Sequence, residues 1–281
     1  MLFLQRRPAP PLDTCVQAVW VCRHDPRPRT LERVLPNGGP QLIVNLLEDR
    51  TRVYEARPGT VVCHESPGSI LSGLATRAQI IDTDEQAFVV GVAFRPGGTR
   101  PFTAVPAHDL ADRDVPLDAL WGAGAERRLR ERLLEAPSPE RALDVLESAL
   151  GQAWRDRQPH AAVAFALARF HARPALARVD AVTADLALSP RRFIERFKAD
   201  VGVTPKRYCR LLRFRRAVED AHRGRQTGWA ELAADGGFAD QAHFIHEFRA
   251  FSGLTPSAYE AARTAFPNHV TFLQSADDLL V

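Results

Sequence analysis

No apolar run in the chain approaches the roughly 18 residues of a membrane-spanning helix. Its opening, Met1-Leu2-Phe3-Leu4-Gln5-Arg6-Arg7-Pro8, lacks the apolar stretch of a signal peptide. The four cysteines, Cys15, Cys22, Cys63 and Cys209, are scattered with no C-x-x-C pair, which argues against a disulfide scaffold and suits a reducing compartment. A soluble, cytoplasmic protein with no membrane partner is therefore expected. Catalytic signatures are missing too. There is no close His-x-His followed by an acid and a further histidine, and no short Pro-Cys-His nucleophile motif. Cys22-x-His24 and Cys63-His64 come nearest to a metal set, but four ligands at recognisable spacing are absent. No metal, cofactor or catalytic residue is expected. Arg95, beside Pro96-Gly97-Gly98, reads as a loop brace in preference to an anion site.

What is present fits two domains. At 281 residues the length favours two over one, and 45% apolar content suffices for a proper core. The net charge of +3 hides an asymmetry. Residues 1–158 carry 20 Arg against 21 acids, whereas residues 159–264 carry 17 Lys and Arg against 11 acids. The basic excess sits on the second half, the footprint of a polyanion partner.

Residues 1–123 read as short strands between turns. Val16 to Cys22, Gln41 to Leu47, Gly59 to Cys63 and Phe88 to Phe94 are strand candidates. Leu35-Pro36-Asn37-Gly38-Gly39-Pro40 and Arg95-Pro96-Gly97-Gly98 supply turn chemistry. A sandwich or barrel is expected. From Gly124 the period becomes helical. Glu126 to Glu135 and the stretch after Ser138-Pro139-Glu140, with Leu143, Leu146, Leu150 and Trp154 in one stripe, make residues 124–157 a helical linker. That stripe serves either a homodimer or packing on the chain's own β-domain.

The most specific feature lies in residues 158–264, where one pattern is written twice. Phe193, Ile194, Phe197, Gly202, Thr204, Pro205 and Tyr208 each recur 51 residues later, as Phe244, Ile245, Phe248, Gly253, Thr255, Pro256 and Tyr259. Each copy reads as a short helix, a tight turn and a second helix. The first copy is Val179 to Ala187, Ser189 as N-cap, then Pro190 to Val201; the second is Trp229 to Asp235, Asp240 as cap, then the helix after it. In each second helix Phe193 and Phe197, or Phe244 and Phe248, form the buried core of the motif. Arg191, Arg192 and Glu195 fall opposite the first pair; Gln241, Ala242, His246 and Arg249 fall opposite the second. In a major groove Arg pairs with guanine, Glu with cytosine N4 and Gln with adenine. Arg191, Ile194, Glu195, Gln241, Ala242 and His246 are thus base-contact candidates. Ile194 and Ile245 lie only about 60° from the centre of the Phe face by the helical period, which favours the core over thymine methyls for both. Arg191 and Glu195 also fit a simple helical ion pair.

Pro205 to about His222 forms an uninterrupted helix of roughly 25 Å, a rod that can hold two reading helices about one DNA turn, ~34 Å, apart. Arg207, Arg210 and Arg213 on it, with Arg192, Lys198, His243 and Arg249, are phosphate-contact candidates; for His243 a capping role is the other reading. Residues 265–281 are left as a C-terminal tail.

With its paired helix-turn-helix units and long connecting helix, this arrangement resembles the AraC/XylS transcription regulators. Gly237-Phe238-x-Asp240-Gln241-x-His243-Phe244, then Phe248 and Gly253-Leu254-Thr255-Pro256, carry the resemblance. Trp20, Leu35-Pro36-Asn37-Gly38 and Gly91 to Gly98 are similar to a β-rich N-terminal domain found on a subset of that family. The resemblance implies an α+β protein with a β-rich front domain and an all-α C-terminal DNA-binding domain. It also implies a bacterial activator or repressor whose partners are double-stranded promoter DNA, RNA polymerase if it activates, a small-molecule effector and a second copy of itself. Ala187 and Ala242 depart from the family pattern and bear on one turn and one groove contact. The competing class is an enzyme, cupin-like or for DNA repair, carrying a DNA-binding module.

Overall fold

Short strands bounded by Pro and Gly clusters pair into two antiparallel sheets, and the helical periods that follow them cover one sheet and build the basic half. The computed structural model describes residues 1–25, 31–57, 60–223 and 229–272. Its strands are β1 (Leu2–Arg6), β2 (Val16–Arg23), β3 (Leu31–Val34), β4 (Gln41–Asn45), β5 (Arg50–Arg57), β6 (Thr60–Pro67), β7 (Ser69–Ser72), β8 (Gln79–Asp82), β9 (Phe88–Phe94), β10 (Asp114–Pro116) and β11 (His269–Thr271). Its helices begin with α1 (Ala107–Leu110), α2 (Leu117–Trp121), α3 (Ala125–Leu134), α4 (Pro139–Ala153) and α5 (Ala161–Ala172). The basic half continues with α6 (Val179–Ala184), α7 (Pro190–Val201), α8 (Pro205–His222), α9 (Trp229–Asp235), α10 (Gln241–Ser252) and α11 (Pro256–Ala262).

One sheet runs β1-β2-β9-β4-β7-β10 and the other β11-β3-β8-β5-β6. The chain passes from the second sheet to the first at Gly68, between β6 and β7. At the centre of the first sheet Trp20 is register partner to Gly91. A Cβ at Gly91 would lie 2.3 Å from the Trp20 ring, so this strand residue must be glycine for the indole to lie across it. Each expected strand is present. The shorter or more polar β1, β3, β5, β7, β8 and β10 escaped the reading because they show little alternation.

The inner face of the first sheet (Val19, Val21, Leu42, Val44, Val90 and Val92) is buried with Leu129 and Leu133 of α3 and Leu143, Leu146 and Leu150 of α4. The linker stripe therefore packs on its own β-domain, and the dimer reading of that stripe is withdrawn. The cap is as expected: Ser138 Oγ accepts from the Arg141 N–H at 3.3 Å. Trp154 lies just past the helix and packs edge-on against Phe102, with ring centroids 5.6 Å apart.

The expected tail is corrected as well. His269–Thr271 pairs antiparallel with β3, so residues beyond the basic half return to the second sheet. Val270 is fully buried in one core with Leu35 and Leu74 of the front half and Tyr208, Phe248 and Tyr259 of the basic half. Residues 273–281 of that tail lie outside the described residues. Val270→Ala is expected to destabilise the whole chain by about 2 kcal/mol through a cavity shared by both halves. A single loss in chemical denaturation followed by probes in each half would show it; a loss confined to one half would deny the shared core.

Candidate nucleic-acid interface

The helix caps of the two copies match. Ser189 Oγ accepts from the Arg192 N–H at 3.4 Å, and in the second copy Asp240 Oδ1 accepts from the His243 N–H at 2.7 Å. Thr204 and Thr255 cap the following helices, accepting from the Arg207 and Ala258 N–H groups at 3.3 and 3.2 Å. Gly202 and Gly253 end the reading helices at φ of 104° and 71°, and each donates to the carbonyl four residues back. That left-handed turn suits glycine. Ring pairs repeat too. Phe193–Phe197 and Phe244–Phe248 centroids are both 5.8 Å apart; Phe197–Tyr208 and Phe248–Tyr259 are 5.7 and 5.6 Å apart. Burial pushes both tyrosine phenols up, Tyr259 to about 12.

With the aromatic faces buried, the opposite faces are set. On α7, Arg191, Arg192, Glu195 and Lys198 are exposed, as are Gln241, Ala242, His246 and Arg249 on α10. Arg191 Nε donates to Glu195 Oε1 at 3.0 Å in an exposed pair. Ile194 and Ile245 do not join the core: they are 38% and 37% exposed, at matching positions of the two helices. The core preference read from the helical period is thereby overturned. Packed on α1, α5 and α8 in one case and on α8, α9 and α11 in the other, α7 and α10 each bury only the Phe stripe, and a side chain about 60° off its centre clears the contact. His243 completes a reciprocal cap, its Nδ1 accepting from the Ala239 N–H at 3.2 Å. The first helix of the first copy ends at Ala184, short of the expected Ala187.

The long helix is corrected most. Arg210 makes a two-pronged bond to Glu247 of α10, at 2.5 and 2.7 Å. Arg213 donates to the Gly237 carbonyl at 3.0 Å, bracing the turn before α10. Arg207 donates to the buried Thr76 hydroxyl at 2.6 Å, and that hydroxyl donates to Asp112 at the same distance. All three arginines hold partners within the protein, which ties down the half-buried Arg210 and Arg213; Arg207 stays exposed and keeps its place among the phosphate-contact candidates. Each partner comes from elsewhere in the chain, so no local pattern announced it.

Other candidates stay apart. Cys22 lies in β2 and Cys63 in β6, on different sheets, while His64 contacts Glu55 at 3.2 Å. Among the described residues no group of three or more His, Cys, Asp or Glu is arranged to hold a metal ion. Arg95 donates to the Asp13 carbonyl at 3.1 Å, the bracing role.

Residues 182–262 match a family described as a helix-turn-helix domain, and residues 4–116 match a domain of unknown function, DUF6597. This chain carries an AraC-type helix-turn-helix domain. No curated protein matches the chain. Among solved structures, ToxT from Vibrio cholerae at 1.65 Å is 13% identical, with a TM-score of 0.46 over 92% of this chain and 98% of that one. ToxT from Vibrio cholerae O395 bound to (E)-4-(8-methylnaphthalen-1-yl)but-3-enoic acid is 12% identical, with the same TM-score and coverage. ToxT from strain SCE256 with unsaturated fatty acid bound is 10% identical, with a TM-score of 0.43 over 92% and 94%.

The AraC-type domain depends on two acids that the sequence reading passed over. Glu247 is 4% exposed and Asp200 3% exposed. Both sit on the aromatic faces of their helices, where an ionised side chain demands a partner, and that position is the signal that could have found them. Asp200 accepts from the His160 N–H at 2.8 Å and pairs with Arg100 Nε of the β-domain at 3.3 Å. Arg210→Ala leaves Glu247 buried with only the His243 ring beside it, at 3.9 Å, and is expected to cost on the order of 3 kcal/mol. Replacing both, as Arg210→Met with Glu247→Leu, should restore most of that in urea denaturation. A single variant as stable as the parent would return Arg210 to the surface role.

Proposed function

We propose that this protein is a sequence-specific transcriptional regulator that places α7 and α10 in successive major grooves of promoter DNA. The carrying observation is the repeat of caps, turn glycines and ring pairs, which presents two equivalent exposed helix faces joined by α8. The rod, α8, has 18 residues, about 27 Å at ~1.5 Å per residue, comparable with one turn of duplex. On the reading helices Arg191, Glu195, Gln241 and His246 are the proposed base readers. Ile194 and Ile245, being exposed, join them as apolar contacts for thymine methyls. Ala242 sits among them without a polar group. Arg192, Lys198 and Arg249 flank those positions as proposed phosphate contacts, and His243 positions the start of α10, its ring held between Phe238 and Glu247.

The protein acts by binding, in the cytoplasm, with its β-domain responding to a small-molecule effector. Recruitment of RNA polymerase applies where it activates, and a homodimer would double the DNA contact. Phosphate contacts supply most of the affinity and its salt dependence, while the base readers supply preference.

Binding-site selection with the full chain tests the assignment. Arg191→Ala and Glu195→Ala should each relax preference at defined base positions by about tenfold, the ~1–3 kcal/mol of a good base contact. Ile194→Ala should relax preference for thymine. Uniformly weaker binding with unchanged preference would reassign the pair to helix support and phosphate contact.

A further inference from the structure

The arginines of α3 divide into two kinds. Arg127 pairs with Glu131 at 3.0 Å and Arg130 with Asp49 at 3.5 Å. Arg128 and Arg132, four residues apart, make no ion pair among the described residues; Arg128 reaches only the Ala123 carbonyl, at 3.2 Å. Like charges at this spacing repel on a helix. Asp118 of the preceding turn accepts from the Gly124 and Glu126 N–H groups at 2.8 Å each, and the Arg128 charge acts on it without closing to an ion pair.

Both unpaired arginines line an open groove of about 440 Å³ between α3, the end of α4 and the loop before α1, and no acid lines it. Arg100, Arg155 and Arg157 bring the arginines lining it to five, and the apolar wall is made by half-buried Leu120 and Trp121, backed by buried Phe102 and Leu129. Trp121 Nε1 donates to the Phe102 carbonyl at 3.0 Å, which fixes that wall. We propose that this groove binds an amphipathic organic anion, its apolar body against Leu120 and Trp121 and its acid head between Arg128 and Arg132. A neutral apolar molecule would leave the repulsion unrelieved, and a small inorganic anion would leave the wall in water.

The groove also has a physical link to the first reading helix. Arg100 lines it and is the same residue that pairs with buried Asp200 of α7. An acid head competing for Arg100 weakens that pair and loosens the hold of the β-domain on α7. The site stands on its own geometry; its effect on DNA rests on the function proposed above.

Calorimetric titration of the full chain with decanoate, with decanol as the uncharged control, tests the site. One saturable site is expected, weakened at least tenfold in Arg132→Glu and in Arg157→Glu, and blocked in Ala153→Trp, which fills the groove. Equal binding of decanol, no saturable decanoate binding, or affinities within twofold in all three variants would overturn it. Retained thermal unfolding of each variant ensures that a loss reflects the groove. Decanoate should then change affinity for the selected DNA at least threefold in the parent and not in Asp200→Asn, which still binds decanoate. Decanoate binding with no change in DNA affinity overturns the link alone. A chain that binds decanoate and no DNA overturns the proposed function and leaves the site standing.

Discussion

Burial of a narrow aromatic stripe on each reading helix is the constraint from which the rest of the basic half follows. Phe193 and Phe197 on one helix, and Phe244 and Phe248 on the other, are fully or almost fully buried. Each stripe meets the helix that follows it through a tyrosine, Tyr208 on α8 or Tyr259 on α11. Aromatic burial at this scale outweighs the exposed ion pairs on the same helices, since each ring removes well over a hundred Å² from water and a surface pair contributes about 1 kcal/mol at most. Once the stripes are fixed, which side chains point outward is no longer free. The reading faces are what remains after packing.

The same packing explains the disposition of charge. A long helix rich in arginine looks from its sequence like a phosphate comb. In the structure its arginines tie elements together: Arg210 to α10, Arg213 to the turn before it, Arg207 to the β-domain. A guanidinium with five donors suits such bridging better than lysine does. The basic excess of this half therefore overstates the charge available to a polyanion.

The β-domain and the AraC-type domain are joined at several points by different chemistry. The strand β11 returns to the sheet beside β3. Val270, Leu35 and Leu74 complete the helical core. Arg100 with Asp200, and Arg207 with Thr76 and Asp112, add charged contacts. Leu35, Leu74, Val270 and Asp200 are buried at this junction, so the two halves cannot move apart without exposing them.

The sequence alone determined the repeat, the caps and the turn glycines, because these are local: a Ser, Thr or Asp three residues ahead of its N–H, or a glycine at a left-handed position, depends only on its neighbours in the chain. It determined the Phe stripes for the same reason, through the helical period. Only the tertiary structure decided where Ile194 and Ile245 lie, because a borderline helical position is settled by the width of the opposing surface. The partners of Arg210, Arg207 and Arg100 were likewise decided by tertiary packing. Glu247 lies 37 residues from Arg210, Thr76 lies 131 residues from Arg207, and Asp200 comes from the other half of the chain relative to Arg100. A long side chain pairs with whatever the fold brings within reach, and no pattern along the chain records that choice. The strand at His269–Thr271 was hidden for a related reason: three residues carry no period, and their partner in β3 is more than two hundred residues away.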